Sequence, residues 1–379
     1  MIALYRKLLL LLSGLLLCLP PAMADTWPTT PRLKADGNRW RIGYVESGIY
    51  NEYPLTLRAV IAGLQQLGWV ALDEPMPREQ SAEALWQWLA MHDRGSYVDF
   101  VEDAYWRPGN FDVDLRAALR EQVQERVRTQ QDLDLVIAMG TWAGQDMRAI
   151  GPPLPTVVMS VSDAVSSGVV DSVQDSGRDL LHARVEPNRY QRQLHLFHDI
   201  VPFASLGVVY EDSEAGRSYA ALDAIRETSA ALGFSVIHCH AQSSSIPAEQ
   251  AVTNAVGCYR ELAESQVDAV YVTTHQGVTN ESIVAIADIL RKAGVASFSM
   301  QGAADVRKGI LLSLAQANVS SVGLFHAEVI ARIFNGAQPR ALDQVWIDPA
   351  KIALNLDTAR IIGFDPPIDI LLAADDVYQ

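Results

Sequence analysis

Residues 132–160 read DLDLVIAMGTWAGQDMRAIGPPLPTVVMS. Two short continuous apolar runs, LDLVIAM (133–139) and PTVVMS (155–160), flank a segment that opens on Gly140 and Thr141 in the manner of a helix start. Runs that are apolar at consecutive positions predict parallel strands covered by helices on both faces. The same beat recurs outward from this stretch. A strand is predicted over 39–45, then a helix with Pro54 in its first turn, Leu57, Val60, Ile61 and Leu64 on one face and Gly68 as its stop. Later apolar runs cover 206–210, 234–238, 269–272, 295–298 and 310–314, separated by helix-length amphipathic segments such as 215–232. Strands alternating with helices imply βαβ units, so the predicted class is α/β with doubly wound parallel sheets. A chain of 379 residues exceeds what one hydrophobic core usually reaches, which predicts two lobes. One stretch between Gly68 and Tyr97 breaks the rhythm. Ser81 as N-cap, with Leu85, Trp86, Leu89 and Ala90 on one face, predicts an inserted helix there, either a lid or partner-docking surface or a helix simply packed on the sheet.

The N-terminus carries an address. Arg6 and Lys7 precede an apolar run over 8–19, then Pro20 and Pro21, then Ala22-Met23-Ala24 before Asp25. A charged start, a short hydrophobic segment and a small-residue cleavage site predict a signal peptide over residues 1–24, removed after Ala24. The run falls well short of the roughly 20 apolar residues that span a bilayer. Leu17 stands before Cys18, where lipid attachment requires a small residue, so lipidation is not expected. Residues 25–38 form a polar leader before the fold begins. The expected product is an exported, periplasmic protein. With 30 Lys and Arg against 45 Asp and Glu, net charge −15 and pI near 4.9, it offers no basic surface to a nucleic acid.

After cleavage only Cys239 and Cys258 remain. In an oxidising compartment they form one disulfide or stay as two buried free thiols. They fall on a predicted strand and the next predicted helix, and a bridge requires their Cα atoms within about 7 Å. The common short signatures of nucleotide, hydrolase, metalloprotease and dinucleotide chemistry are absent from the sequence. His238 and His240 alternate on a strand, and His195 and His198 lie three apart on a helix. Neither pair has a third ligand identifiable in sequence, so no metal and no cofactor are expected.

Six blocks, in order, carry a resemblance: IGYVES (42–47), DLDLVIAMGTWAGQ (132–145), PTVVMSVSDAVSSGVV (155–170), LGVVYEDSEAGRS (206–218), VDAVYVTTHQGV (267–278) and LNLDTARIIGFDPPIDILLAADDVYQ (354–379). Together they resemble extracytoplasmic solute-binding proteins of ABC importers with the type I periplasmic-binding fold, in the branch that includes tryptophan- and tyrosine-type binding components. That resemblance implies two lobes joined by a three-segment hinge, with crossings near Ser160, Leu314 and Trp346. It places residues 39–162 and 315–345 in the N-terminal lobe and 163–314 and 346–379 in the C-terminal lobe. It also implies a small-molecule ligand, an amino acid or another small polar or aromatic solute, and an ABC permease as membrane partner. Where members of this branch place acidic residues for an amino group, this chain has His275 and the stretch Met300-Gln301-Gly302.

In open α/β sheets ligands sit outside the carboxyl ends of strands. The loops there supply the candidate ligand contacts: Glu46, Ser47 and Tyr50; Thr141 and Trp142; Ser160, Ser162 and Asp163; Asp212 and Ser213; Thr274, His275 and Gln276; and Gln301. Each has an ordinary structural reading as cap or core. His275 is the residue to make affinity vary between pH 5 and 8 if it contacts ligand. Three functions follow in order: a periplasmic solute-binding component delivering to a permease, a ligand-sensing receptor for a membrane kinase or chemoreceptor, and a periplasmic enzyme using Glu46, Asp163 or His275.

Overall fold

The computed structural model describes residues 27–78, 81–151, 153–316, 319–347 and 350–379; the expected signal peptide lies outside them. The first lobe opens with β1 (Trp40–Glu46), α1 (Glu52–Gln66), α2 (Ala82–His92) and β2 (Val98–Trp106). It continues with α3 (Arg116–Gln130), β3 (Leu135–Met139), α4 (Thr141–Ile150), β4 (Thr156–Met159) and β5 (Leu181–Ala183). Its five strands are all parallel, in the order β2-β1-β3-β4-β5. Successive strand residues face opposite sides of the sheet. Leu135, Ile137 and Met139 therefore join Leu57, Ile61, Trp86 and Ile330 in one core layer, while Val136 and Ala138 join Leu119, Val123 and Met147 in the other. Both faces are covered, which is why these strands read as continuous apolar runs.

The second lobe runs through α5 (Arg189–Ile200), β6 (Ser205–Tyr210), α6 (Glu214–Tyr219), α7 (Leu222–Leu232), β7 (Ser235–His240), α8 (Ala248–Glu264), β8 (Ala269–Val272), α9 (Ser282–Lys292), β9 (Ala296–Ser299), α10 (Ala303–Arg307) and β10 (Leu312–Gln316). The chain then returns to the first lobe as α11 (Val319–Phe334), and comes back as β11 (Ala350–Asn355), α12 (Leu356–Ile362), α13 (Ile368–Ala373) and β12 (Ala374–Tyr378). The sheet order is β12-β11-β10-β9-β8-β6-β7, parallel except at the β10–β11 pair.

Three crossings join the lobes: after β5, between β10 and α11, and between Val345 and β11. The first and third run side by side, with Val185 N–H donating to Gln344 O (2.8 Å) and Trp346 N–H to Val185 O (3.0 Å). The first crossing follows Ala183 instead of lying near Ser160, because three residues, Leu181–Ala183, pair with β4 before the chain leaves the sheet. A strand that short carries no periodicity to read, and it places residues 163–183 with the first lobe.

The returning helix α11 is locked to α1 by two glycines. A Cβ on Gly323 would stand 2.3 Å from the Ala59 backbone carbon, and one on Gly63 would stand 2.8 Å from the Ala327 Cβ. The leader is tied to the same end of the lobe: Trp69 Nε1 donates to Thr29 O (2.7 Å) and Asn335 Nδ2 to Thr30 O (3.1 Å).

The inserted helix α2 starts at Ser81, whose hydroxyl accepts from Ala84 N–H (3.2 Å). It is packed on the sheet and is no lid: Trp86 is fully buried, stands edge-on to Phe100, and donates from Nε1 to Val101 O (3.0 Å). The segment expected as one helix over 215–232 is two, α6 and α7, divided at Ala221 with a left-handed φ of 51°. Cys239 of β7 and Cys258 of α8 form a disulfide with Cα atoms 5.6 Å apart. Among the described residues no helix is long and apolar enough to cross a membrane.

Candidate functional site

The strand order reverses between β1 and β3 in the first sheet and between β6 and β8 in the second. At such switch points the flanking loops diverge and leave a crevice at the carboxyl ends of the strands. The two crevices face one another across a cavity of 690 Å³ lined by both lobes. The first lobe contributes Tyr50, Glu52, Ser160 and Ser162, and the second contributes Arg189, Tyr190, Thr274, Met300 and Gln301. Two hydrogen bonds close it. Gln301 Nε2 donates to Tyr50 Oη (2.6 Å), and Tyr190 Oη donates to Ser162 O (2.7 Å). A third tie lies further along the interface, where Ser245 N–H donates to Phe111 O (3.2 Å).

Of the candidate contacts, Tyr50, Ser160, Ser162, Thr274 and Gln301 line this cavity. Ser160 holds a left-handed φ of 53° at the end of β4, a backbone state that costs a serine about 1–3 kcal/mol and is found at ligand clamps. The Thr274 N–H and hydroxyl both approach the Met300 sulfur, at 3.2 and 3.4 Å.

The other candidates sit elsewhere. Glu46 lines a neighbouring 420 Å³ pocket and accepts from Tyr105 Oη (2.6 Å), Tyr44 Oη (3.2 Å) and Arg107 Nη1 (3.3 Å). Burial raises its carboxyl pKa, and Tyr105 and Arg107 oppose the shift. Ser47 turns inward: its hydroxyl donates to Met139 O (3.2 Å) and accepts from Ala143 N–H (3.1 Å). Two first-turn amides of α4 are thereby satisfied within the protein, Ala143 N–H by Ser47 and Gly144 N–H by Gly140 O (3.0 Å). Thr141 is buried at the same turn. Trp142, 4 % exposed, packs edge-on to Phe111 with the Arg116 guanidinium over its ring. It is a core residue.

Asp163 caps its own turn, accepting from Val165 and Ser166 N–H, and faces a separate 230 Å³ pocket. Asp212 pairs with Arg217, and Ser213 caps α6 by accepting from Gly216 N–H (3.0 Å). His275 is buried, with Nε2 on Ala241 O (2.9 Å) and Nδ1 accepting from Gly277 N–H (2.9 Å). This pattern fixes the neutral tautomer, burial lowers the imidazole pKa further, and the ring is spent on structure. Gln276 is half-buried and outside the cavity wall. Of the histidines weighed for metal, His240 Nε2 lies 3.0 Å from Tyr210 Oη. Among the described residues no group of three or more His, Cys, Asp or Glu side chains is placed to hold a metal.

Sequence reasoning missed the charged lining. Arg184, Arg189, Arg307, Lys308 and Lys351 line the cavity, together with Glu52, Asp376 and Tyr378. Glu186 supports the hinge side, 3.4 Å from Arg184 and 4.0 Å from Arg189. Burial raises the Glu52 carboxyl pKa, and the Arg189 charge opposes it. A signal for Arg184 and Arg189 was available in the basic run RVEPNRYQR (184–192), but recognising it required placing the hinge.

The sequence profile of the family described as ABC transporter substrate binding protein matches residues 114–378. The chain belongs to this family. A comparison with curated proteins returns no significant match. Solved structures show what this substrate-binding protein is similar to in fold. An ABC domain from Streptococcus pneumonia in complex with L-Trp has a TM-score of 0.66 at 17% identity, covering 90% of this chain and 100% of that one. A conserved domain protein from Vibrio cholerae gives the same values. A ligand-free, open substrate binding protein with adhesive properties from Clostridium difficile has a TM-score of 0.57 at 17% identity, covering 90% and 99%. The family is one of substrate-binding proteins rather than enzymes.

Proposed function

We propose that this substrate-binding protein is the exported component of an ABC importer, capturing a small solute between its lobes and delivering it to a membrane permease. The observation that carries this reading is the 690 Å³ cavity at the carboxyl ends of both sheets, walled by both lobes and bridged by the Tyr50–Gln301 hydrogen bond. A ligand in that position contacts both walls, so it favours the closed arrangement over an open one by its differential affinity. The family supports an ABC partner, and the signal-peptide pattern over residues 1–24 supports export. Tyr50, Tyr190 and Tyr378 in the wall suit a solute with a planar or apolar body.

The test is thermal unfolding of the purified protein against amino acids including L-tryptophan, nucleosides, sugars, vitamins and carboxylates. A solute that binds only the folded state stabilises it by RT ln(1 + [L]/Kd), about 2.7 kcal/mol at a hundredfold excess over Kd. A saturable rise in Tm with one chemical class is expected. Chemical turnover of that solute, or no rise across the panel, overturns the reading.

A further inference from the structure

The cleft wall supplied by the second lobe has a charge opposite to that of the chain. The protein carries 45 acidic against 30 basic residues, yet Arg307, Lys308 and Lys351 line the cavity together against one lining carboxylate on that side, Asp376. The three cations come from two separate places in the fold, the end of α10 and the start of β11, so no single helix face or strand alternation accounts for their meeting. Their partners are mostly uncharged. The Arg307 guanidinium lies 5.3 Å from the centroid of the Tyr378 ring, and Lys308 Nζ donates to Asn280 O at 3.1 Å. Asp305, the next carboxylate, is buried and accepts from Ser299 Oγ (2.6 Å). It stands outside the wall, with burial raising its pKa.

Like charges on one cleft wall, Arg307 exposed and Lys308 and Lys351 half-buried, repel one another, and an anion seated among them reverses the sign of that energy. Guanidinium and ammonium groups are also the side chains that recognise carboxylate and phosphate oxygens, the former as a planar fork and the latter as a point charge. Resting on the reading of the cleft as a solute site, we infer that the solute bears an oxyanion group, carboxylate or phosphate, that seats against Arg307, Lys308 and Lys351.

The experiment uses matched pairs that differ in charge: succinate with succinamide, isophthalate with isophthalamide, and phenyl phosphate with phenol. They are titrated alongside the neutral and zwitterionic solutes of the panel, with inorganic phosphate against chloride at equal ionic strength as a probe that requires no organic scaffold. Binding is read by calorimetry and by Tm on the native protein and on Arg307→Gln and Lys351→Gln. Ligand-free Tm reports whether each variant folds, and the matched pairs on the native protein keep the test decisive if one does not. Charged members should bind at least roughly tenfold more tightly than their neutral partners, and each variant should lose most of that difference. Phosphate should stabilise the native protein beyond chloride and lose that advantage in the variants. The carboxylate and phosphate arms tell the two oxyanion sources apart. Saturable binding of a neutral or cationic solute, indifferent to both variants, overturns this inference while leaving the solute-site reading intact. No response from any member or from phosphate removes both.

Discussion

Trp142 and Tyr50 are both aromatic side chains just beyond strand ends, Trp142 in the first turn of α4 and Tyr50 in the loop after β1, and their burial separates them. Trp142→Ala empties core volume beside Phe111 and should cost about 3–5 kcal/mol in urea unfolding, with the solute Kd of the surviving fold unchanged. Near the hinge, His182 is fully buried, and its Nε2 lies 3.0 Å from Asp343 O. Burial pushes its pKa down to about 4 from the ordinary 6.5. The neutral ring is what the folded state tolerates, so its contribution is fully present above about pH 6.5 and is lost as pH falls from there to about 4. Over that window it amounts to about 3 kcal/mol. Urea midpoints measured between pH 7 and 4.5 should fall more steeply in the native protein than in His182→Gln. Equal slopes would show that His182 does not couple to folding. Residue types at strand ends were legible; their direction was not. Ser47 and His275 have the chemistry of ligand contacts and spend it on Met139 and on Ala241, a choice set by packing that a linear pattern does not encode.

At the scale of elements, the close crossing of α1 and α11 rests on residues without side chains. Gly323→Ala drives a methyl into the Ala59 backbone, an overpacking that should cost about 1–3 kcal/mol, with a lowered Tm as the readout. The β7–α8 disulfide spans 19 residues of sequence, and its reduction should lower stability by about 3 kcal/mol. Matched urea curves with and without reductant check this, and Cys258→Ala should remove the difference between them. The strands of the sheet centres, β1, β3, β4, β6, β8 and β9, were readable because burial on both faces writes an apolar run. The edge strand β2 was not. Phe100 pairs with Ile42 but Tyr105 pairs with Tyr44, so β2 takes five steps where β1 takes two, and the extra residues erase its periodicity.

For the molecule as a whole, the two lobes and their parallel sheets follow from the alternation of strands and helices, and the hinge adds a mechanical expectation. Gln301→Ala deletes the amide that reaches Tyr50 across the cleft, so the open form should gain population. The ligand-free radius of gyration in small-angle scattering should rise, and solute affinity should fall several-fold with little change in Tm. An unchanged radius and affinity would show that the lobes close without this contact. The charged wall was the least legible feature, since Arg184, Arg307 and Lys351 come to line one cavity only after all three crossings and both sheets are in place.

The interlocked glycines of α1 and α11 also bear on how the chain is made. The first lobe is assembled from sequence positions nearly three hundred residues apart, so it lacks one helical cover until the ribosome has passed residue 334. A nascent chain folding strictly from its front would therefore stall with Leu57 and Ile61 exposed, and domains that are contiguous in sequence escape that delay. On the proposed reading of residues 1–24 as an export signal, the delay is an advantage: the unclosed lobe remains threadable until most of its length has been translated.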